Sequence, residues 1–222
     1  MQGDIVILVV SLALLVLSLG IHEAAHGWVA LKCGDSTARD LGRITLNPIP
    51  HIDPFMTLVL PTVLYLVGGP LFGGAKPVPV AFHRLRNPWR DMSLVALAGP
   101  VSNFLLAIFF YTIYRIAVDV FGMEEATRGG GQVLTQVMLR AVHFNLLLAA
   151  FNLIPIPPLD GSRIMAWLLP EGLRPAYVSL ETIGMLIVFA LLYLDVLWRL
   201  ILPIMDGMMV WVHEIVTLGG LW

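Results

Sequence analysis

Charge is scarce in this chain. Only 13% of its 222 residues are Asp, Glu, Lys or Arg, about half the share of an ordinary soluble domain. Cysteine is scarcer still: Cys33 stands alone, so the chain has no internal disulfide framework. With a net charge of -2, nothing points to nucleic acid as a partner. Repeats and low-complexity tracts are missing. The longest polar stretches, 32–53, 76–91 and 119–131, are too short for a soluble domain. The start, Met1–Asp4, has no basic side chain, and the apolar run behind it outlasts a signal peptide, so it reads as a retained span. What the chain does have is apolar surface. It is 58% hydrophobic, with a mean hydropathy of +0.86. These properties describe an all-α polytopic integral membrane protein forming one domain over 1–222, with the lipid bilayer as its surroundings.

A membrane-crossing helix needs about 20 apolar residues. Five runs meet that requirement, near 5–31, 92–118, 133–154, 176–194 and 197–218. A sixth apolar segment, 55–72, is interrupted by Pro61 and ends in Gly68-Gly69-Pro70. Lys32, Arg39 and Arg43 precede it, and Lys76, Arg84, Arg86 and Arg90 follow it. Basic loops stay in the cytoplasm. Both flanks therefore belong on that side, and 55–72 is expected to re-enter or bend rather than cross. Counting spans from there puts the end of the 133–154 span on the same cytoplasmic side as the end of the first. Lys76-Pro77-Val78-Pro79-Val80 suits an extended or β segment near 75–82, or a stiff linker.

The first run carries the chain's most informative residues. From Ile5 to Ile21 it holds no charge; then come His22-Glu23-Ala24-Ala25-His26. Ionisable groups at membrane depth are costly and mark function by default. On a helix His22 and His26 share a face and can reach one metal ion, while Glu23 lies beside them as a candidate base for a metal-bound water. Catalytic zinc takes three protein ligands and keeps one position open. The third ligand must come from elsewhere, and His51, Asp53, His143, Asp160, Glu181 and Asp195 are the candidates. His143 precedes Asp160 by roughly 25 Å of helix and falls at the wrong depth. Asp195 falls on the outer side, and Glu181 reads as a helix-start carboxylate. Asp160 leads. His51 and Asp53 remain alternatives in a proline-rich turn, where turn hydrogen bonds also explain them.

Three motifs, His22-Glu23-Ala24-Ala25-His26-Gly27, Ala98-Gly99-Pro100-Val101-Ser102-Asn103 and Asn152-Leu153-Ile154-Pro155-Ile156-Pro157-Pro158-Leu159-Asp160-Gly161, together resemble the site-2 protease family of intramembrane zinc metalloproteases. The likeness is greatest to compact bacterial and archaeal members with a stretch like Asn47–Pro54, and the chain shows neither the PDZ insertion nor the CBS extension of other members. The resemblance implies one zinc ion held by His22, His26 and Asp160, with Glu23 as catalytic base. It implies a membrane-spanning protein or peptide as substrate, cut near the cytoplasmic face of a prokaryotic cell membrane, with Asn152 and Pro155 helping to seat it. It also implies a short membrane-associated sheet near Lys76–Val80, whose edge would hold an unwound peptide by strand addition. Asn103 is placed to support a metal ligand from behind, or to act as a packing contact. A metal-ion transporter and a metal-binding membrane scaffold without protease activity are the alternative readings. A transporter calls for polar residues through both halves of the membrane, and here they gather towards one side. A scaffold has no use for Glu23.

Overall fold

The computed structural model describes residues 2–66, 73–126 and 129–218, and these contain helices and no β-strand. The first helix, α1 (Gln2–Lys32), buries Ser11, Leu15, Ser18, His22 and His26. Their spacing of three and four residues makes one continuous face. The short α2 (Thr37–Asp40) follows. A wide π-helical turn (Pro54–Val59) leads into α3 (Leu60–Leu66). Long helices α4 (Pro88–Ala126) and α5 (Gly129–Asn152) pack extensively against each other, and α4 also contacts α1, α9 and the short α6 (Asp160–Leu168). Beyond these lie α7 (Arg174–Ser179), α8 (Glu181–Tyr193) and α9 (Val196–Leu218).

Four of these helices contain stretches long and apolar enough to cross a membrane: Val9–Lys32, Pro88–Val120, Gly131–Asn152 and Val196–Thr217. The fifth expected span, 176–194, is not straight. Its two halves, Glu171–Ser179 and Glu181–Tyr193, meet at 66°. Tertiary contacts hold the bend: Tyr177 donates to Pro155 O at 2.7 Å, Arg163 pairs with Glu181 at 2.7 Å, and Gly184 sits against the carbonyl of Pro157 with no room for a Cβ. Asp160 does not terminate a span either. Helix α5 stops at Asn152, and Asp160 opens α6 after a proline-rich turn.

The segment after Asp53 bends back. Asp53 caps its first turn by accepting from the N–H groups of Phe55 and Met56. Pro54–Leu66 would reach roughly 20 Å as helix, short of the ~30 Å hydrocarbon core. Its return limb lies beside its start: Gly74 N donates to Met56 O at 3.0 Å, Lys76 N to His51 O at 2.9 Å, and Thr57 Oγ1 to Gly74 O at 2.6 Å. Ends that touch belong to a re-entrant hairpin; a crossing segment would hold them a bilayer apart. The Gly68-Gly69-Pro70 cluster expected to turn it lies outside the described residues. The return limb, 73–81, is non-helical, and the expected β segment near 75–82 forms no strand.

Apolar packing divides along the bundle. Ala107, Phe110, Ala141, Leu146 and Val212 join α4, α5 and α9 in one half. Phe151, Ile154, Leu159, Val188 and Ile201 join α5, the proline turn, α8 and α9 in the other. Leu105, Phe109, Leu186 and Val210 stay exposed on the outer faces, as befits helices whose solvent is lipid. Lipid offers little hydrophobic drive between helices, so close approach and interhelical polar bonds hold them together.

One polar tether anchors the return limb at its far end. The fully buried Asp35 accepts from Ala81 N at 2.6 Å and from Thr37 N and Oγ1. Burial works against its charge, but the Thr37 and Ala81 hydrogen bonds, aided by Arg84, outweigh it and hold the carboxyl below the usual carboxylate range. Asp35→Asn sets an amide donor against another donor and is expected to cost about 1–3 kcal/mol, read as a lower melting temperature in detergent. Because the folded-state pKa is depressed, the wild type's advantage is full above about pH 4, the unfolded carboxylate value, and fades as pH falls below it.

Candidate metal centre

The candidate metal ligands come from two helices that α4 brings together. His22 and His26 project one turn apart from α1, and Asp160 projects from the first turn of α6. Their functional atoms converge: His26 Nε2 lies 3.0 Å from His22 Nε2, and Asp160 Oδ2 lies 3.2 Å from His22 Nε2 and 3.4 Å from His26 Nε2. Two glycines permit this. A Cβ on Gly99 of α4 would lie 2.5 Å from His22 Nε2 and 2.6 Å from His26 Cε1, and a Cβ on Gly161 would strike the backbone of Leu153 and Ile154.

The opposite edge of each ring is occupied. His22 Nδ1 lies 2.5 Å from Asn103 Oδ1, and His26 Nδ1 lies 2.7 Å from the carbonyl of Val95. Both partners are acceptors, so each Nδ1 carries a proton, and in the neutral imidazole each Nε2 presents a lone pair. Asp160 Oδ2 is buried without a hydrogen-bond donor. With both rings neutral, three lone pairs meet at one point, an arrangement that a cation satisfies. Ligands about 2.0–2.1 Å from a tetrahedral zinc stand roughly 3.3 Å from one another, and the three separations match. Glu23 offers a competing group with the two rings, its ligand atom within 4.8 Å of theirs. That grouping is looser, and Glu23 Oε2 already accepts from Val78 N at 2.7 Å.

The remaining candidates are engaged in other contacts, although Glu181 lines the same cleft. Asp53 caps its turn, and His51 Nε2 faces Thr45 O at 3.2 Å. His143 turns back to Leu139 O, Glu181 pairs with Arg163, and Asp195 occupies the turn between α8 and α9 with φ 57°. A cleft of about 440 Å³ opens over the site, with Glu23, Asn152, Val78 and Met185 among its walls. Asn152 Nδ2 is spent on Leu148 O, which leaves its Oδ1 free to accept. Pro155 is exposed and is not part of that wall. Asn145 and the Val78 amide bear on the site and were not singled out from the sequence. The only signal for Asn145 was an amide within an apolar span; for Val78 there was none, because a backbone group leaves no mark in sequence.

Comparison with known proteins agrees with this chemistry. The sequence profile of Peptidase family M50 matches residues 10–127 and 120–194. YwhC of Bacillus subtilis (strain 168), named as a candidate zinc metalloprotease, is 42% identical over 193 residues, spanning 84% of this chain and 83% of YwhC. Rip2 of Mycolicibacterium smegmatis, named likewise, is 33% identical over 191 residues, spanning 82% of this chain and 66% of Rip2. MJ0611 of Methanocaldococcus jannaschii, also so named, is 32% identical over 110 residues, about half of each chain. No solved structure matches. The chain is a member of peptidase family M50, the site-2 protease family its motifs resemble, and is an integral membrane zinc metalloprotease.

Proposed function

We propose that the protein is an intramembrane endopeptidase that cuts peptide bonds in or near the transmembrane segments of other membrane proteins. The observation that carries this reading is the convergence of His22 Nε2, His26 Nε2 and Asp160 Oδ2 beside Glu23, at the end of an apolar helix. His22, His26 and Asp160 hold the zinc. When bound there, a zinc ion would supply Lewis acidity for peptide hydrolysis. Glu23 is the general base. The Val78 amide fixes its Oε2, leaving Oε1 to take a proton from the attacking water and return it to the leaving amine.

The substrate must unwind, because a helix spends its own amides internally. Residues 73–81 pass beside Glu23 and offer an extended neighbour. Lys76 N–H is used by His51 O and Val78 N–H by Glu23, while Pro77 and Pro79 have none. A peptide lying there is held through its own N–H groups, donated to limb carbonyls other than Gly74 O, Lys76 O and Pro77 O, which already accept from Thr57 and Arg43. Asn152 Oδ1, at the cleft wall, accepts a further substrate N–H. The basic loops 32–51 and 76–91 support a cytoplasmic placement for this end of the bundle.

Glu23→Gln is expected to keep one zinc per chain, by elemental analysis of purified protein. It should slow cleavage of a single-span peptide in liposomes by roughly 10²–10⁴-fold. Wild-type cleavage by that variant refutes the assigned base; zinc flux into the liposomes that survives it favours a transporter instead. Gly99→Ala pushes a methyl group into both imidazoles and is expected to weaken zinc binding tenfold or more, measured by competition with a chromogenic chelator. A thermal melt confirms that the variant is folded.

A further inference from the structure

A line of buried polar groups runs inward from the metal site and ends on a backbone carbonyl. Asn145 Nδ2 of α5 donates to Ala141 O at 2.9 Å and to Ser18 Oγ of α1 at 3.0 Å. Asn145 Oδ1 accepts from Asn103 Nδ2 of α4 at 2.9 Å. Asn103 Oδ1 then faces His22 Nδ1. Ser18, Asn103 and Asn145 are each 0% exposed, so solvent cannot take the place of any member.

The direction of every bond follows from the last one. A backbone carbonyl only accepts, so the group facing Ala141 O must be the NH₂ of Asn145; a flipped amide would set oxygen against oxygen. With its NH₂ committed, Asn145 can offer Asn103 only its oxygen. Asn103 must answer with its own NH₂, which turns its oxygen to His22. An oxygen at Nδ1 requires the proton there, and the lone pair is left on Nε2, the atom that faces His26 and Asp160. A flip anywhere along the line would reverse the order and put a proton where the cation belongs.

We infer that Asn145 is a positioning residue for the metal centre: acting through Asn103, it dictates which nitrogen of His22 is free to bind zinc. This rests on the reading of His22 as a zinc ligand. Asn145 touches neither metal nor substrate. Outer hydrogen-bond partners of metal-ligating histidines typically contribute 10–100-fold in affinity, and here the orienting group lies one residue further out.

The test uses full-length protein in detergent, zinc alone as the ligand, and competition with a chromogenic chelator. Asn145→Leu keeps the side-chain volume but frees Asn103 to turn its NH₂ towards His22, and zinc affinity is expected to fall about 10–100-fold. Asn103→Asp accepts from His22 Nδ1 in either orientation and needs no orienting partner. The double variant Asn103→Asp with Asn145→Leu is therefore expected to bind zinc within a few-fold of Asn103→Asp alone. A packing role for Asn145 would lower the melting temperature of both Leu variants without that rescue. Wild-type affinity in Asn145→Leu, or a double variant no better than it, overturns the inference. His22→Ala separates the two readings: if it binds zinc normally, the ligand assignment itself fails; if it loses zinc while the Asn145 series is flat, only the positioning role fails. Should Asn145→Leu not fold, ¹⁵N-histidine NMR of zinc-free wild type at a pH where the rings are neutral decides. The proton is expected on His22 Nδ1, and a proton on Nε2 overturns the inference.

Discussion

Two imidazole nitrogens and one carboxylate oxygen, brought within 3.4 Å of one another in a buried pocket, form the arrangement on which the rest of this protein depends. Concentrating electron pairs in that way is unfavourable in any medium and more so away from water. A cation relieves it, and an acceptor at the far edge of each ring holds an Nδ1 proton there. The carbonyl of Val95 does this for His26, and Asn103 does it for His22. The two histidines thus have unequal supports: one is fixed by backbone that no substitution alters, the other by side chains on two further helices.

The same contacts also hold the bundle together. Helices in lipid gain little from burying apolar surface against one another and rely on close approach and shared hydrogen bonds. Helix α4 supplies both. Gly99 lets its backbone approach the two rings, and Asn103, one turn on, links α1 to α5. The proline turn before Asp160 works similarly at the other side of the site, seating Gly184 of α8 and receiving Tyr177 of α7. Metal ligation and helix packing are therefore parts of one construction, and the bend at Leu180 follows from it.

Much of this was legible beforehand. His22, Glu23 and His26 declared themselves by spacing within an uncharged run. Asp160 was favoured because counting spans put it at the right depth, and the structure sets it beside the two rings. The re-entrant hairpin followed from like charge on both of its flanks. The break in 176–194 was only half legible: Glu181 reads as a helix-start carboxylate, but nothing in Ser179-Leu180-Glu181-Thr182 shows the bend that contacts with Pro155, Pro157 and Arg163 hold. Helix α6 was not legible, since Asp160-Gly161 reads equally well as a stop or a start. An edge strand near 75–82 was suggested by its alternating prolines, but those prolines also remove the donors a ladder needs.

Composition and spacing alone pointed to the medium and to the helix that carries the paired imidazoles, because those properties are sums or periodicities along the chain. Which carboxylate meets the imidazoles, which way each buried amide points and where an apolar helix bends were settled only in three dimensions. Each depends on a partner dozens of residues away, down to a single carbonyl at Ala141 whose inability to donate orients everything between it and His22.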